Sequence, residues 1–372
     1  MRAARCAFLA FFASRLLCSL FVYLGHYHRP YLEPVPGGWE GVANWWLNPW
    51  TTYDSVWFLQ IAAEGYQQHT TAFFPLYPWL ISLFGEDPVI MAASGVLLSH
   101  VALLVALYLV FKLTELEWGN EYAQSAVWLL AFSPAAPYFG AVYTESLFMA
   151  LLAATFLAAR KQLWLLGGLW GAMAALLRNS GFLIAGALLF EAWGHRKDDN
   201  STSKWLCWSL PLVIFIAVQA SFWLKFGDPL AGVTSQEYFH RQPAWPWKPL
   251  FGDLYTLIAG DYGLGFFLVA AVGLFFTLAG LLSPLLLIVK IRPGYILLIF
   301  AITLMNLVYA RQLAPHTITA TRYLGSLFPV AQIAALFYIK TNSPRLRMIM
   351  VAVLVFHFIV FSYMFGLKSF LG

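Results

Sequence analysis

The chain has 372 residues, of which 61% are hydrophobic and only 10% charged, with a mean hydropathy of +0.71. Soluble domains carry about 25% charged residues, so a soluble fold is excluded, and the apolar runs are continuous rather than alternating, which excludes a transmembrane β-barrel. The formal charge of +5 is scattered over short connections between apolar runs, so it reports topology and not a nucleic-acid partner.

In chain order, Arg2 and Arg5 precede a first apolar run at 7–25, interrupted near its middle by Arg15. This pattern reads as a retained signal anchor with its N-terminus in the cytoplasm. Further runs follow at 88–112, 123–140, 144–159, 163–177, 181–193, 205–226, 264–289, 294–310, 322–340 and 347–367. Runs of roughly 20 residues cross about 30 Å of hydrocarbon as helices, which makes about eleven spans in an all-α polytopic membrane protein. The predicted cytoplasmic connections hold Lys112, Arg160, Lys161, Arg196, Lys197, Lys204, Lys290, Arg292, Lys340, Arg345 and Arg347. Most acids fall on the other side: Glu33, Glu40, Asp54, Glu64, Glu86, Asp87, Asp228, Glu237, Asp253 and Asp261. That asymmetry follows the positive-inside rule. Cys6, Cys18 and Cys207 have no paired spacing and read as small core residues.

Two long connections, 26–87 and 227–262, face outward and are rich in Trp, Tyr and Pro. Loops this long are functional or disordered, and disorder is poor in aromatics, so both are expected to fold onto the membrane surface and carry the function. No internal repeat is evident, and 1–372 reads as a single integral-membrane domain. The compact connections favour a bacterial plasma membrane over an ER membrane with a lumenal site.

Four stretches carry residues suited to chemistry. In "TTYDSVWFLQIAAEGY", Thr52 and Asp54 are good N-cap types and Gly65 a good stop, so a short helix is expected between them. Its narrow polar strip, Gln60 and Glu64, predicts an amphipathic interfacial helix with Trp57 at headgroup depth. Two readings of Asp54 stand together: a cap on the helix dipole, and an oriented catalytic carboxylate. In "TAFFPLYPWL", Pro75 and Pro78 predict an irregular backbone, with Phe73, Phe74, Tyr77 and Trp79 as membrane anchors or as a sugar- or lipid-facing surface. In "SPAAPYFGAVYTESLFMALLA", two prolines break a helix and Glu145 opens the next, an acid costly so near hydrocarbon. Finally, Arg178 and Arg322 stand at predicted outer helix ends, with Arg311 and His316 just before Arg322. Outward arginines beside apolar runs suit a lipid phosphate, or else snorkel. Arg15 is expected to point into the bundle, paired with an acid or lining a site.

Taken together, a carboxylate to accept a hydroxyl proton, cations to hold a departing phosphate and aromatics to hold sugar faces fit transfer from a lipid-linked phosphate sugar. No strong general acid is needed, because the leaving group is already a stable anion. The succession "YDSVWFLQIAAEGY", "AFFPLYPWL", "SPAAPYFGAVYTESLF", "LRNSGFL", "FGDPLA" and "TRYLGSLFP" resembles the PIG-V family, the second mannosyltransferase of GPI-anchor assembly and its bacterial relatives, of glycosyltransferase family 76 and the GT-C fold. The family's Trp-Asp pair stands here as Tyr53-Asp54, its Tyr-Ser-Glu-Ser as Tyr143-Thr144-Glu145-Ser146, and its Arg-Ser-Asn-Gly as Arg178-Asn179-Ser180-Gly181.

The resemblance implies that Asp54 is the catalytic base or the partner of a divalent metal such as Mg or Mn, with Glu145 as a second polar support. On the residues' own pattern, Arg322, Arg178, Arg15, Tyr53, Tyr323, Asn179 and His316 are the candidates to bind donor phosphate or substrate. The implied donor is a polyprenyl-phosphate hexose, most often mannose, used with inversion, and the acceptor a glycolipid or glycan hydroxyl. The rival expectation is a multi-pass transporter or flippase of a lipid-linked or anionic solute, which would place its charges near mid-membrane. A non-catalytic scaffold subunit is the third.

Overall fold

The computed structural model describes residues 1–28, 45–195, 202–260, 263–289, 291–312 and 316–368. Glu33, Glu40, Arg196, Lys197, Asp261 and Lys290, all assigned above to one side of the membrane, lie outside the described residues. The chain is almost wholly helical. It begins with α1 (Arg2–His28), α2 (Asp54–Glu64), α3 (Leu76–Ser82) and α4 (Pro88–Trp118). The middle holds α5 (Asn120–Ala131), α6 (Glu145–Arg160), α7 (Trp164–Leu177), α8 (Leu183–Gly194), α9 (Ser203–Leu206) and α10 (Ser209–Phe226). Then come α11 (Ala231–Thr234), β1 (Arg241–Pro243), α12 (Trp247–Ala259), α13 (Leu264–Leu282), α14 (Pro293–Val308) and β2 (Tyr309–Arg311), followed by α15 (Ile318–Gly325), α16 (Phe328–Lys340) and α17 (Pro344–Gly366).

Every predicted span is helical over most of its length, but the lengths differ from expectation. Among the described residues five helices are long and apolar enough to cross a membrane, or six if α15 and α16 form one broken span. α5 and α8 have 12 residues each, about 18 Å of rise, and fall short of the hydrocarbon thickness. α5 stops at Ala131 because Pro134 and Pro137 follow, and residues 136–139 make a 3₁₀ turn instead. Pro78 does not prevent a helix, contrary to expectation. It lies in the first turn of α3, where its missing N–H has no intrahelical partner to lose. Asp87 caps α4 by accepting from the Val89 and Ile90 amides at 2.8 and 3.0 Å, with Pro88 at the first helical position.

Two compact units emerge. The first comprises residues 1–65, 77–153 and 325–372. Here α1 packs along α17, and the contact is so close that a Cβ on Gly25 would lie 2.1 Å from the Tyr363 carbonyl and one on Gly366 1.9 Å from that of Val22. Small residues let membrane helices approach in this way, where no hydrophobic effect drives them together. α5 packs on both α4 and α16, and buried Gln332 donates from α16 to Thr114 Oγ1 (2.9 Å) and Glu117 (3.2 Å) at the end of α4. Arg347, expected as a cytoplasmic loop charge, donates to the carbonyls of Ile339 and Thr341 (2.7 Å each) and so satisfies the end of α16.

The second unit comprises residues 66–76 and 154–324. α7 packs on α10, α8 on α14, and α13 on both α12 and α14. Two cations assigned above to cytoplasmic loops are buried in this unit. Arg160 forms a two-pronged ion pair with Glu191, and its Nη2 also donates to Tyr295 Oη at 3.3 Å. Lys204, 1% exposed, donates to the His195 carbonyl at 3.2 Å. The positive-inside rule counts charges and is blind to those that turn inward.

Candidate functional site

In the first unit, α2 begins at Asp54, and the cap position belongs to Tyr53 rather than to Thr52 or Asp54. Tyr53 has φ 55° and ψ −123°, a left-side conformation that costs a bulky residue about 1–3 kcal/mol and persists only where surroundings enforce it. They do so here. The Tyr143 hydroxyl accepts from the Asp54 amide (3.2 Å) and donates to the Thr52 carbonyl (3.4 Å), while the Trp50 carbonyl accepts from the Val142 amide (3.0 Å) and Ser55 Oγ (3.2 Å). Thus two stretches almost ninety residues apart, the one holding Asp54 and the one holding Glu145, are laced together.

Glu145 is fully buried at the first turn of α6, and Ser146 Oγ donates to the Phe139 carbonyl at 2.9 Å. Asp54 itself is half-buried. Aromatic rings surround this end of the unit: Tyr53 on Phe365 (5.9 Å), and Tyr138 on both Tyr143 and Phe365 (5.5 Å each). Burial, reinforced by Tyr138, pushes the Tyr53 phenol well above its usual pKa, so Tyr53 is a neutral donor or acceptor and not an acid. Residues 55–61 of α2 are all buried, and Trp57 is covered by protein. Of the four expected anchors in "AFFPLYPWL", Trp79 is exposed, whereas Phe74 and Tyr77 are core residues.

Arg15 turns into the first unit, as expected, but its partner is a carbonyl. Nη1 donates to the Ala136 oxygen at 2.9 Å, and among the described residues Nε and Nη2 find no hydrogen-bond acceptor. Gly140 makes room for this guanidinium: a Cβ there would meet His100, Trp50 and Arg15 at 3.1–3.3 Å.

The second unit gathers the other arginines about one ring. The guanidinium carbons of Arg178, Arg322 and Arg241 lie 4.7, 5.6 and 6.0 Å from the centre of the Tyr323 ring. Arg241 is fixed by Nη2 donating to Asn306 Oδ1 (3.1 Å) and Thr319 Oγ1 (3.3 Å), with Nη1 3.5 Å from Tyr323 Oη. β1 and β2 pair antiparallel with Arg241 opposite Arg311, which brings a fourth cation alongside. Burial, and then the neighbouring charge of Arg241, pull the Arg311 guanidinium down to about 10. Arg178 lies at an extended break between α7 and a 3₁₀ turn at residues 179–182. The turn folds back so tightly that a Cβ on Gly181 would come within 2.4 Å of the Ala174 carbonyl, which is why glycine stands there. Asn179 is half-buried at the start of this turn. His316 works inside the loop: its Nδ1 bonds the Arg311 carbonyl (2.8 Å) and its amide donates to Asp253 (2.6 Å).

Residues 26–196 match the sequence model described as Mannosyltransferase (PIG-V). GPI mannosyltransferase 2 of Yarrowia lipolytica is 32% identical over 190 residues, 49% of this chain and 52% of that protein. Residues 26–196, a little under half of the chain, resemble the PIG-V family. The alignment spans about half the length of the yeast relative. Among solved structures, ArnT from Cupriavidus metallidurans bound to undecaprenyl phosphate superimposes with a TM-score of 0.52 at 14% identity, over 92% of this chain and 62% of that one. At that identity the likeness speaks for the fold, and the fold is GT-C.

The PIG-V match contains Tyr53, Asp54, Glu145, Arg178 and Asn179, whereas Arg241, Arg311, His316, Arg322 and Tyr323 lie beyond it. Arg241 was missed from sequence, although one signal was present: an arginine inside an acidic, aromatic loop. Its pairing with residue 311 through three-residue strands leaves no periodic trace. As for a metal beside Asp54, no group of three or more His, Cys, Asp or Glu side chains able to hold one occurs among the described residues. Among the described residues, the side chains beside Asp54 therefore do not form a donor set that fits a protein-held metal.

Proposed function

We propose that this chain is a GT-C glycosyltransferase that moves a hexose, by family mannose, from a polyprenyl-phosphate donor to a hydroxyl of a lipid-linked or envelope glycan on the extracytoplasmic face. The acceptor oxygen attacks the anomeric carbon opposite the phosphate and inverts it. The C1–O bond breaks, the acceptor proton passes to the Asp54 carboxylate, and the phosphodiester leaves as a prenyl phosphate carrying one more negative charge. Arg178, Arg241 and Arg322 take up that developing charge. Glu145 and the Tyr143 hydroxyl support the Asp54 segment. The observation that carries the reading is the convergence of these three guanidinium groups within 6.0 Å of one tyrosine ring. Transporter charges would instead be spread along a path between two gates.

The test is transfer from polyprenyl-phosphate mannose to a lipid-linked acceptor by the purified chain in proteoliposomes. Product formation abolished by Asp54→Asn and by Arg322→Ala supports the reading. Solute uptake or lipid translocation without transfer product refutes it.

A further inference from the structure

α12 has two faces with opposite surroundings. Pro249, Asp253 and Thr256 are buried, four and three residues apart, so they form one stripe. Trp247, Phe251, Leu254, Tyr255 and Ile258 form the other stripe, and all are exposed, Tyr255 by 71% and Ile258 by 76%. Trp245 continues the exposed stripe, stacked on Trp247 at 5.0 Å and 11°. Water is an unsuitable neighbour for so many contiguous apolar rings.

The place of α12 in the chain names the occupant. It ends at Ala259, and α13, a membrane-crossing helix of mean hydropathy 2.3, begins at Leu264. A helix with an aromatic apolar face, an exposed lysine (Lys248) at its start and a bilayer span four residues on is suited to lie in the headgroup region.

The buried stripe grips the loop that leads to the arginine cluster. Asp253 is 0% exposed. Its Oδ1 accepts from the His316 amide (2.6 Å), and its Oδ2 accepts from the Thr317 amide (2.7 Å) and from the Thr317 hydroxyl. Beside it, a Cβ on Gly252 would come within 2.6 Å of the His316 ring, so helix and turn are in contact through the glycine as well. Thr317 is the residue before α15, and α15 carries Arg322 and Tyr323. A carboxylate that accepts three donors from one turn fixes where the next helix begins.

We infer that α12 is a membrane-seated brace: its aromatic face lies in the bilayer interface, and through Asp253 it sets the position of the helix that bears Arg322 and Tyr323. Asp253 is then a positioning residue, and the lipid surface is part of what orders the cationic cluster. This depends on the membrane character of the fold and not on transfer activity.

The test uses the full chain in lipid nanodiscs with two readouts, neither of which involves catalysis. In the first, a photoreactive lipid with its probe at headgroup depth is cross-linked to the unmodified chain and the labelled peptides are mapped. Labelling across Trp247–Ile258 is expected. A peptide that stays unlabelled while those of α13 react would overturn the seating. The second readout is hydrogen exchange over residues 316–325. Asp253→Asn, which turns one acceptor into a donor, should speed exchange there about tenfold or more, as expected for a lost charge-assisted bond. The pair Phe251→Asp and Tyr255→Asp, on the lipid face, should speed the same peptide without touching its contacts. If that pair loosens α12 alone and leaves 316–325 protected, the coupling is wrong. Unchanged exchange in Asp253→Asn would refute the positioning role.

Discussion

The buried pair of Arg160 and Glu191 gives the sharpest energetic prediction. Both side chains are nearly inaccessible, 4% and 5% exposed, and the guanidinium binds both carboxylate oxygens, with Nη2–Oε1 at 3.2 Å, plus the Tyr295 hydroxyl at 3.3 Å. It also lies 5.6 Å over the Tyr295 ring. Removing either partner strands a charge that no water can reach, at a cost of about 3–5 kcal/mol. Against a total stability on the order of 5–15 kcal/mol, that is a large share. Removing both is a different matter, because the desolvation penalty disappears with the charges. We therefore expect Glu191→Leu and Arg160→Met each to destabilise by about 3–5 kcal/mol, and the double variant to lie within about 1 kcal/mol of the parent or above it. The assay is SDS-titrated unfolding in mixed micelles, which yields the coupling energy from the four-protein cycle. A double variant as unstable as the sum of the singles would refute the reasoning, since the two side chains would then act independently.

The remaining predictions concern the candidate site and the helix contacts. Asp54→Asn should lower the turnover of sugar transfer about 10²–10⁴-fold with little change in donor KM, as for loss of a general base; an unimpaired rate at normal expression would remove Asp54 from the chemistry. Arg241→Lys should raise donor KM nearly as much as Arg241→Ala, because an ammonium cannot bridge Asn306 and Thr319 while offering a planar fork. Arg311 supplies a pH prediction: its folded pKa, about 10, lies below its ordinary 12.5, so its charge disfavours the fold at every pH below about 10, and the penalty fades as pH rises through that value. Arg311→Gln should accordingly raise the melting temperature at pH 7 and lose that advantage above pH 10, whereas an equal gain at both pH values would place its origin elsewhere. Gly366→Val should abolish the monodisperse peak in size-exclusion chromatography, because its Cβ would overlap the Val22 carbonyl.

The helical scaffold was legible because apolar runs and their punctuation obey local rules. Asp87-Pro88 and Ser343-Pro344 each start a helix with a capping side chain and a proline at the first position. Asp54 and Glu145 stood out as acids beside hydrocarbon, and Arg178 and Arg322 as cations where few belong. What escaped was set by long-range packing. Nothing in the local sequence tells Arg160 and Lys204, which turn inward, from Lys161, which stays exposed. Trp57 reads as a membrane anchor until α2 is seen enclosed by protein. In α12 the exposed positions 247, 251, 254, 255 and 258 follow helical spacing inside a loop read only for its aromatic content.

The contact between α1 and α17 has a consequence for how the protein is made. α1 leaves the ribosome well before its partners, carrying a guanidinium whose acceptor, the Ala136 carbonyl, comes 121 residues later. The helix its glycine must meet, α17, is the last of those described. Until then α1 has a polar group and a small-residue seam open to lipid, a state costly for the isolated helix. Biogenesis of this chain should thus depend on something that shelters the newborn α1, such as an insertase, until α17 is synthesised. Chains halted before α17 should be the ones that quality-control proteases remove.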